Sequence, residues 1–302
     1  MNPEVVDVIK RTAAVSSMPQ VVTRFLDLMH DPDFSYDELV AVLSSDPGTA
    51  ADILRLANSA LFGVSRRITS LRPALTLLGP RRVRALVLGR YLVESVGNGL
   101  GGLDAAYYWR RSLACGVVAA RFAEVLTPRM REEAFVAGLL SDVGVAIMAQ
   151  ALPGPYAPIV QLYRPAGPAD ITEAERRVLG TTHPEISAIL LQHWHLPDVV
   201  CQAVAWHHDD VEPAGVPEQL ARVVGASDAV ARLLCESPQL ERIAEQCERA
   251  VEHIHLDLDA LAVILERVEI DMGDLAGLLR LGIIPNSSYT MILQALRQAA
   301  SV

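Results

Sequence analysis

No stretch of this chain carries a strand signal, and that constrains its fold more than any single motif. Runs of alternating β-branched residues are missing, and no Asn-Gly or Asp-Gly turn is set between alternating apolar runs. Helix starts recur instead. Ser35-x-x-Glu38 and Thr172-x-x-Glu175 read as capping boxes, and Ser237-Pro238 reads as an N-cap followed by proline at the first helical position. Apolar residues at three- and four-residue spacing follow each start, as Leu39, Val42 and Leu43 do. The pattern predicts an all-α fold of about fifteen helices.

Breaks in this pattern suggest the organisation. Gly97 to Gly102, GNGLGG, reads as a flexible joint; it also matches G-x-G-x-x-G, but no strand precedes it, so it gives no dinucleotide cradle. Pro153 to Pro168 holds five prolines and reads as an irregular loop. A softer boundary lies near Ser237. The expected units are an N-terminal helical lobe over 1–96, a second lobe over 97–236 and a C-terminal helical extension over 237–302.

Composition bounds the function. At 302 residues and 51% hydrophobic, the chain can bury a full core. No uninterrupted apolar run reaches the ~18 residues of a spanning helix, the nearest, Ala85 to Val93, being cut by Arg90, and the N-terminus lacks signal-peptide features. The expectation is a cytoplasmic protein without membrane insertion. Cys115, Cys201, Cys235 and Cys247 show no C-x-x-C spacing and sit in apolar helical patterns, so they read as reduced core residues.

The net charge of -10 argues against general nucleic-acid affinity, but its distribution is uneven. From Arg55 to Arg111 ten arginines face only Glu94 and Asp104, a local +8 that leaves -18 elsewhere. The excess of arginine over the single lysine, Lys10, reads as coding bias. The position of the cluster does not. Gly79-Pro80 opens a helix whose first turn carries Arg81, Arg82 and Arg84 beside the positive end of the helix dipole, while Arg66 and Arg67 fall in a loop after Phe62-Gly63. These five are the candidate contacts for an anion or an acidic partner; pairing with Asp46, Asp52 or the acidic C-terminal part is the competing role.

The order of several longer blocks resembles a known family. SSDPGTAADILRLANSALFG (Ser44 to Gly63), ITSLRPALTLLGPRRVRALVLG (Ile68 to Gly89), YWRRSLACGVVAARFA (Tyr108 to Ala123), AFVAGLLSDVGV (Ala134 to Val145), TTHPEISAILLQHWHLP (Thr181 to Pro197), VAWHH (Val204 to His208) and VVGASDAVARLL (Val223 to Leu234) are similar to the HDOD domain family. The resemblance covers about Val15 to Cys235. It implies a two-lobed helical module related to metal-dependent HD phosphohydrolases but acting in signalling or as a scaffold, without catalysis.

The resemblance also implies a site. An HD-type centre uses a first histidine, a His-Asp pair, further histidines and a late aspartate; Asp142, His183, His207 or His208, and Asp228 match such positions. Arg111 stands in place of the first histidine and Ser141 in place of the paired one. A guanidinium cannot ligate a metal and repels one, so the expectation is a vestigial site with no metal, no cofactor and a salt bridge from Arg111 to Asp142 or Asp228. His183, before Pro184-Glu185, reads equally as a helix cap, and His207 and His208, projected on a helix, point about 100° apart so that only one faces the core. The Gly-Tyr-Pro signature of HD-type phosphodiesterases is absent, since Asp209-Asp210-Val211-Glu212-Pro213 follows the histidine pair. The expected function is a bacterial regulatory scaffold that binds another signalling protein. A receptor for a nucleotide second messenger and a metal-dependent phosphohydrolase are the alternatives.

Overall fold

The computed structural model describes residues 20–30, 34–58, 66–80, 102–165, 167, 170–194, 196–209, 214–236, 242–279 and 284–299, with 7, 64, 83 and 87 singly. Every regular element among them is helical. The N-terminal part holds α1 (Gln20–His30), α2 (Tyr36–Ser44), α3 (Pro47–Ala57) and α4 (71–80). The expected Ser35/Glu38 box starts α2, each side chain meeting the other's backbone N–H. Asp46 caps α3 by accepting from the N–H of Gly48, with Pro47 at a position whose N–H has no intrahelical acceptor. On α4, Leu71, Ala74, Leu75 and Leu78 are buried, the i, i+3, i+4, i+7 stripe of a helix lying on a core.

The centre of the molecule is α5 (Ala105–Leu126), which is buried along most of its length from Tyr107 to Ala123. A helix sealed on nearly all sides needs neighbours all round. These are α6 (Arg131–Leu140), α12 (Val216–Cys235) and α14 (Leu258–Leu279), which pack against it. Around them lie α7 (Val143–Ala151), α8 (Pro153–Val160), α9 (Thr172–Leu179), α10 (His183–His193), α11 (Asp198–Ala205), α13 (Ile243–Glu252) and α15 (Asn286–Ala299). One apolar cluster runs from Val22 to Leu296. The C-terminal extension shares in it through Leu261, Ile264, Leu265, Val268 and Met272 on one face of α14. Arg121 of α5 adds a two-pronged bond to the fully buried Asp271 of α14, at 2.7 and 2.9 Å.

Two local expectations are corrected. The proline-rich stretch is not irregular throughout: Pro153–Val160 is helical. Pro153 and Pro155 fall in the first turn, where a missing N–H costs no intrahelical bond, so their number there is no bar to a helix. The Thr172/Glu175 capping box does not form. Asp170 takes over, accepting from both the N–H and the hydroxyl of Thr172, and Glu175 turns inward to full burial.

Pro128–Ala151 is long and apolar enough to cross a membrane, yet 89% of its apolar window is buried inside the fold, as a core segment requires. All four cysteines are free, and Cys115, Cys201 and Cys247 are buried. Residues 97–101 of the glycine joint and Ser237-Pro238 lie outside the described residues.

Candidate functional site

The chain breaks between α6 and α7, and Asp142 sits at that break, ahead of the first turn of α7. Its carboxylate is buried, and the positive end of a helix dipole lies close by. Two glycines let the surrounding backbones close in. A Cβ at Gly144 would lie 2.4 Å from the carbonyl oxygen of His183, and one at Gly225 would lie 2.4 Å from that of His207. Only a residue without a side chain lets α7 reach α10, and α12 reach the turn after α11.

Six of the seven HD-type positions converge. Arg111 on α5 grips Asp228 on α12, Nε to Oδ1 at 3.0 Å and Nη2 to Oδ2 at 2.8 Å, with both side chains buried. Its Nη2 lies 3.8 Å from Oδ2 of Asp142, and its guanidinium carbon sits 4.6 Å from the ring centroid of Tyr163. The expectation of a salt bridge from Arg111 to Asp142 or Asp228 matches the geometry, with Asp228 as the main partner. Ser141 is the exception: its hydroxyl donates back to the carbonyl of Gly138 and takes no part.

The histidine end is arranged differently. His183 is not a cap; Thr182 is, with the Glu185 carboxylate accepting from its N–H, and His183 is the first helical residue of α10. Its Nδ1 lies 2.9 Å from Oε2 of Glu175, which also accepts from the His183 N–H at 2.7 Å. His207 and His208 face the same site rather than opposite sides, their ring centroids 4.2 Å apart. The helical projection fails because α11 ends at Ala205 and both histidines lie in the turn beyond it. The Nδ1 of His207 lies 2.7 Å from the carbonyl oxygen of Val204.

Electrostatics follow from this crowding. Burial opposes charge on His183, but the carboxylates of Glu175 and Asp142 overcome it and raise its pKa to about 10. Burial likewise opposes the charge on Asp142, and Arg111, His183 and His207 outweigh it, holding the carboxyl well below its usual range. His208, pushed down by burial and by its two histidine neighbours, stays neutral. Oδ1 of Asp142, Nε2 of His183 and Nε2 of His207 have no hydrogen-bond partner. The adjoining cavity, lined by Arg111, Tyr163, His183 and His208 among others, measures about 10 Å³.

Three participants escaped the sequence reading. Glu175 reads from sequence as a capping residue, Tyr163 lies in the turn after α8, and Tyr156, which donates to Glu175, lies in the proline-rich stretch that folds as α8. Tyr163 donates to Oδ2 of Asp142 at 2.6 Å. The one signal for Glu175 was its place in an otherwise polar helix, where burial is invisible. Of the candidate partner contacts, Arg66 and Arg67 are exposed, while Arg81, Arg82 and Arg84 lie outside the described residues.

Comparison with known proteins gives this geometry a lineage. The profile of the HDOD domain family matches residues 15–210. A protein of Treponema pallidum (strain Nichols), described as uncharacterized, is 26% identical over 204 residues, which are 65% of this chain and only 38% of that relative. Among solved structures, a Shewanella amazonensis SB2B protein provisionally described as a phosphohydrolase superposes with a TM-score of 0.59 at 22% identity, covering 97% of each chain. A Marinobacter aquaeolei VT8 protein provisionally described as a signal transduction protein gives 0.58 at 21% identity, covering 97% of this chain and 64% of its own. At these identities the likeness is one of fold.

Proposed function

We propose, from the premise that the chain belongs to the HDOD domain family, that it is a signalling protein that works by binding a partner and not by hydrolysing a phosphoester. The observation that carries this reading is Arg111. It occupies the first-ligand position of an HD-type centre, engages both oxygens of Asp228 and brings a permanent positive charge to 3.8 Å from Asp142. The late carboxylate is thereby withdrawn from any ligand role. The adjoining cavity points the same way: about 10 Å³ is room for roughly one water, against the ~300 Å³ or more of a small-molecule pocket. Among the described residues this cavity is too small for a nucleotide.

Binding would then fall to the surface. Exposed Arg66 and Arg67, in a locally basic region of an acidic chain, suit an acidic signalling protein. A nucleotide second messenger clamped by arginines is the alternative ligand, at this surface rather than in the core. The decisive assay incubates the full chain with Mn²⁺ or Fe²⁺ and nucleotide, cyclic-dinucleotide and aryl phosphate substrates. No phosphate release above buffer is expected. Turnover that disappears in Asp142→Asn would make the protein an enzyme.

A further inference from the structure

Three side chains at the histidine end share one peculiarity. Each has its rear atom satisfied and its front atom unpaired. Tyr163 donates to Oδ2 of Asp142, while Oδ1 has no partner. Glu175 and the Val204 carbonyl accept from the Nδ1–H of His183 and of His207, so each ring turns Nε2 toward Asp142 and offers a lone pair there to any ion that displaces a proton. Both Nε2 atoms lie 3.5 Å from Oδ1 of Asp142 and have no other partner. Three polar atoms thus converge in the interior without a hydrogen-bond partner.

Simple fillers fall short. A water has two protons for three such atoms. A proton on His183 satisfies Asp142 and leaves Nε2 of His207 alone. A cation satisfies all three at once, and the spacing suits it: ligand atoms about 2.1 Å from a tetrahedral ion stand about 3.4 Å apart. His208 supplies a fourth group, the four ligand atoms lying within 4.8 Å of one another. We propose that Asp142, His183, His207 and His208 form a binding site for a single divalent transition-metal ion, with Arg111 and Asp228 outside its ligand set. Imidazole-rich coordination favours Zn²⁺, Co²⁺, Ni²⁺ or Fe²⁺ over Mg²⁺ and Ca²⁺, which take oxygen ligands.

The surrounding residues fit such an ion. A carboxylate behind one ligating imidazole and a backbone carbonyl behind the other are the partners that fix ring orientation at metal centres. Glu175 is therefore a positioning residue, itself held by the Tyr156 hydroxyl and the His183 N–H. The expected loss of metal followed from Arg111 and Ser141, and those positions remain lost; the remaining ligands suffice at the other end. The ion would clamp the α6–α7 break to α10 and to the turn after α11 with no substrate cavity beside it.

Full-length protein stripped with chelator is titrated with Co²⁺, Zn²⁺ and Mg²⁺ by calorimetry, with thermal melting and the visible Co²⁺ spectrum recorded alongside. One equivalent of Co²⁺ or Zn²⁺ per chain, a raised melting temperature and no response to Mg²⁺ are expected. His207→Gln and Asp142→Asn should abolish binding, and Glu175→Gln should weaken it about 10–100-fold. His208→Ala, at a half-buried position that tolerates truncation, should stay folded and shift the Co²⁺ bands. The double variant Arg111→Met/Asp228→Leu, which removes the ion pair as a unit, should bind as the wild type does. No binding to the wild type overturns the site, as does an unchanged Co²⁺ spectrum in His208→Ala or loss of binding in the folded double variant. Phosphate release is measured separately, so metal bound without turnover supports both readings, and turnover defeats only the non-hydrolytic one.

Discussion

Helix α5 carries two arginines that each grip a buried aspartate with two prongs, and they have opposite surroundings. Arg121 meets Asp271 of α14 and, at 2.8 Å, Glu124 of its own helix. Neither Arg121 nor Asp271 is among the buried groups without a partner. Arg111 meets Asp228, but around it stand a second buried carboxylate, a tyrosine face and three histidine rings, with three polar atoms unpaired nearby. The same chemical pair is a joint in one place and the edge of a site in the other. What separates them is not the ion pair but the unpaired polar atoms beyond it.

The sharpest way to break this comparison is to cut each pair. Asp228→Ala leaves a guanidinium buried, and removing one partner of such a pair typically costs about 3–5 kcal/mol. Asp271→Ala should cost less, about 1–3 kcal/mol, because Arg121 keeps Glu124 and is partly open to water. Urea denaturation of both variants measures the difference. Equal losses would mean that the two pairs are energetically the same joint.

The second test exploits pH. With no metal bound, the carboxylates of Glu175 and Asp142 outweigh burial and raise the His183 pKa to about 10 from an unperturbed 6.5. A group raised on folding contributes fully below its unfolded pKa and loses that contribution as pH climbs through the folded one. Stability should therefore decline between about pH 6.5 and 10, on the order of a few kcal/mol, and the decline should flatten in His183→Asn. Urea midpoints across that range supply the curve. Among the described residues the Arg121 pair's partners are Asp271 and Glu124, neither a histidine, so that pair should be indifferent over the same window; a slope that survives in His183→Asn would have an origin other than His183.

Legibility in the sequence divides along similar lines. The helical fold was readable because caps and apolar spacing are local, as Ser35/Glu38 and the Leu71 to Leu78 stripe show. Asp142, His183 and Asp228 were readable through family resemblance, because they stand in recognisable blocks. Glu175 was not, since Thr172 and Glu175 satisfy a local rule that tertiary burial overrides. The facing of His207 and His208 depended on where α11 ends, a boundary of one or two residues that periodicity does not resolve. Tyr163 was hidden because it lies in the turn after α8, where no periodic pattern marks an inward-facing side chain.

The smallest effect on stability, and the sharpest contrast with both pairs, belongs to the exposed arginines. Arg55 and Arg72 in the same basic region are tied to Asp52 and Asp37. Arg66 and Arg67 have no ion pair among the described residues and stand in solvent. Reversing both to glutamate should therefore move the unfolding free energy by no more than about 0.5 kcal/mol, within the usual range for surface substitutions. It should still weaken association with an acidic partner, and the salt dependence of that association should shrink, because attraction between exposed charges is what added salt screens. Circular dichroism with urea titration reads the first effect, and partner binding at two ionic strengths reads the second. Unfolding of the reversed protein would show these arginines to be structural like Arg121; normal folding with unchanged binding would move the contact to another face.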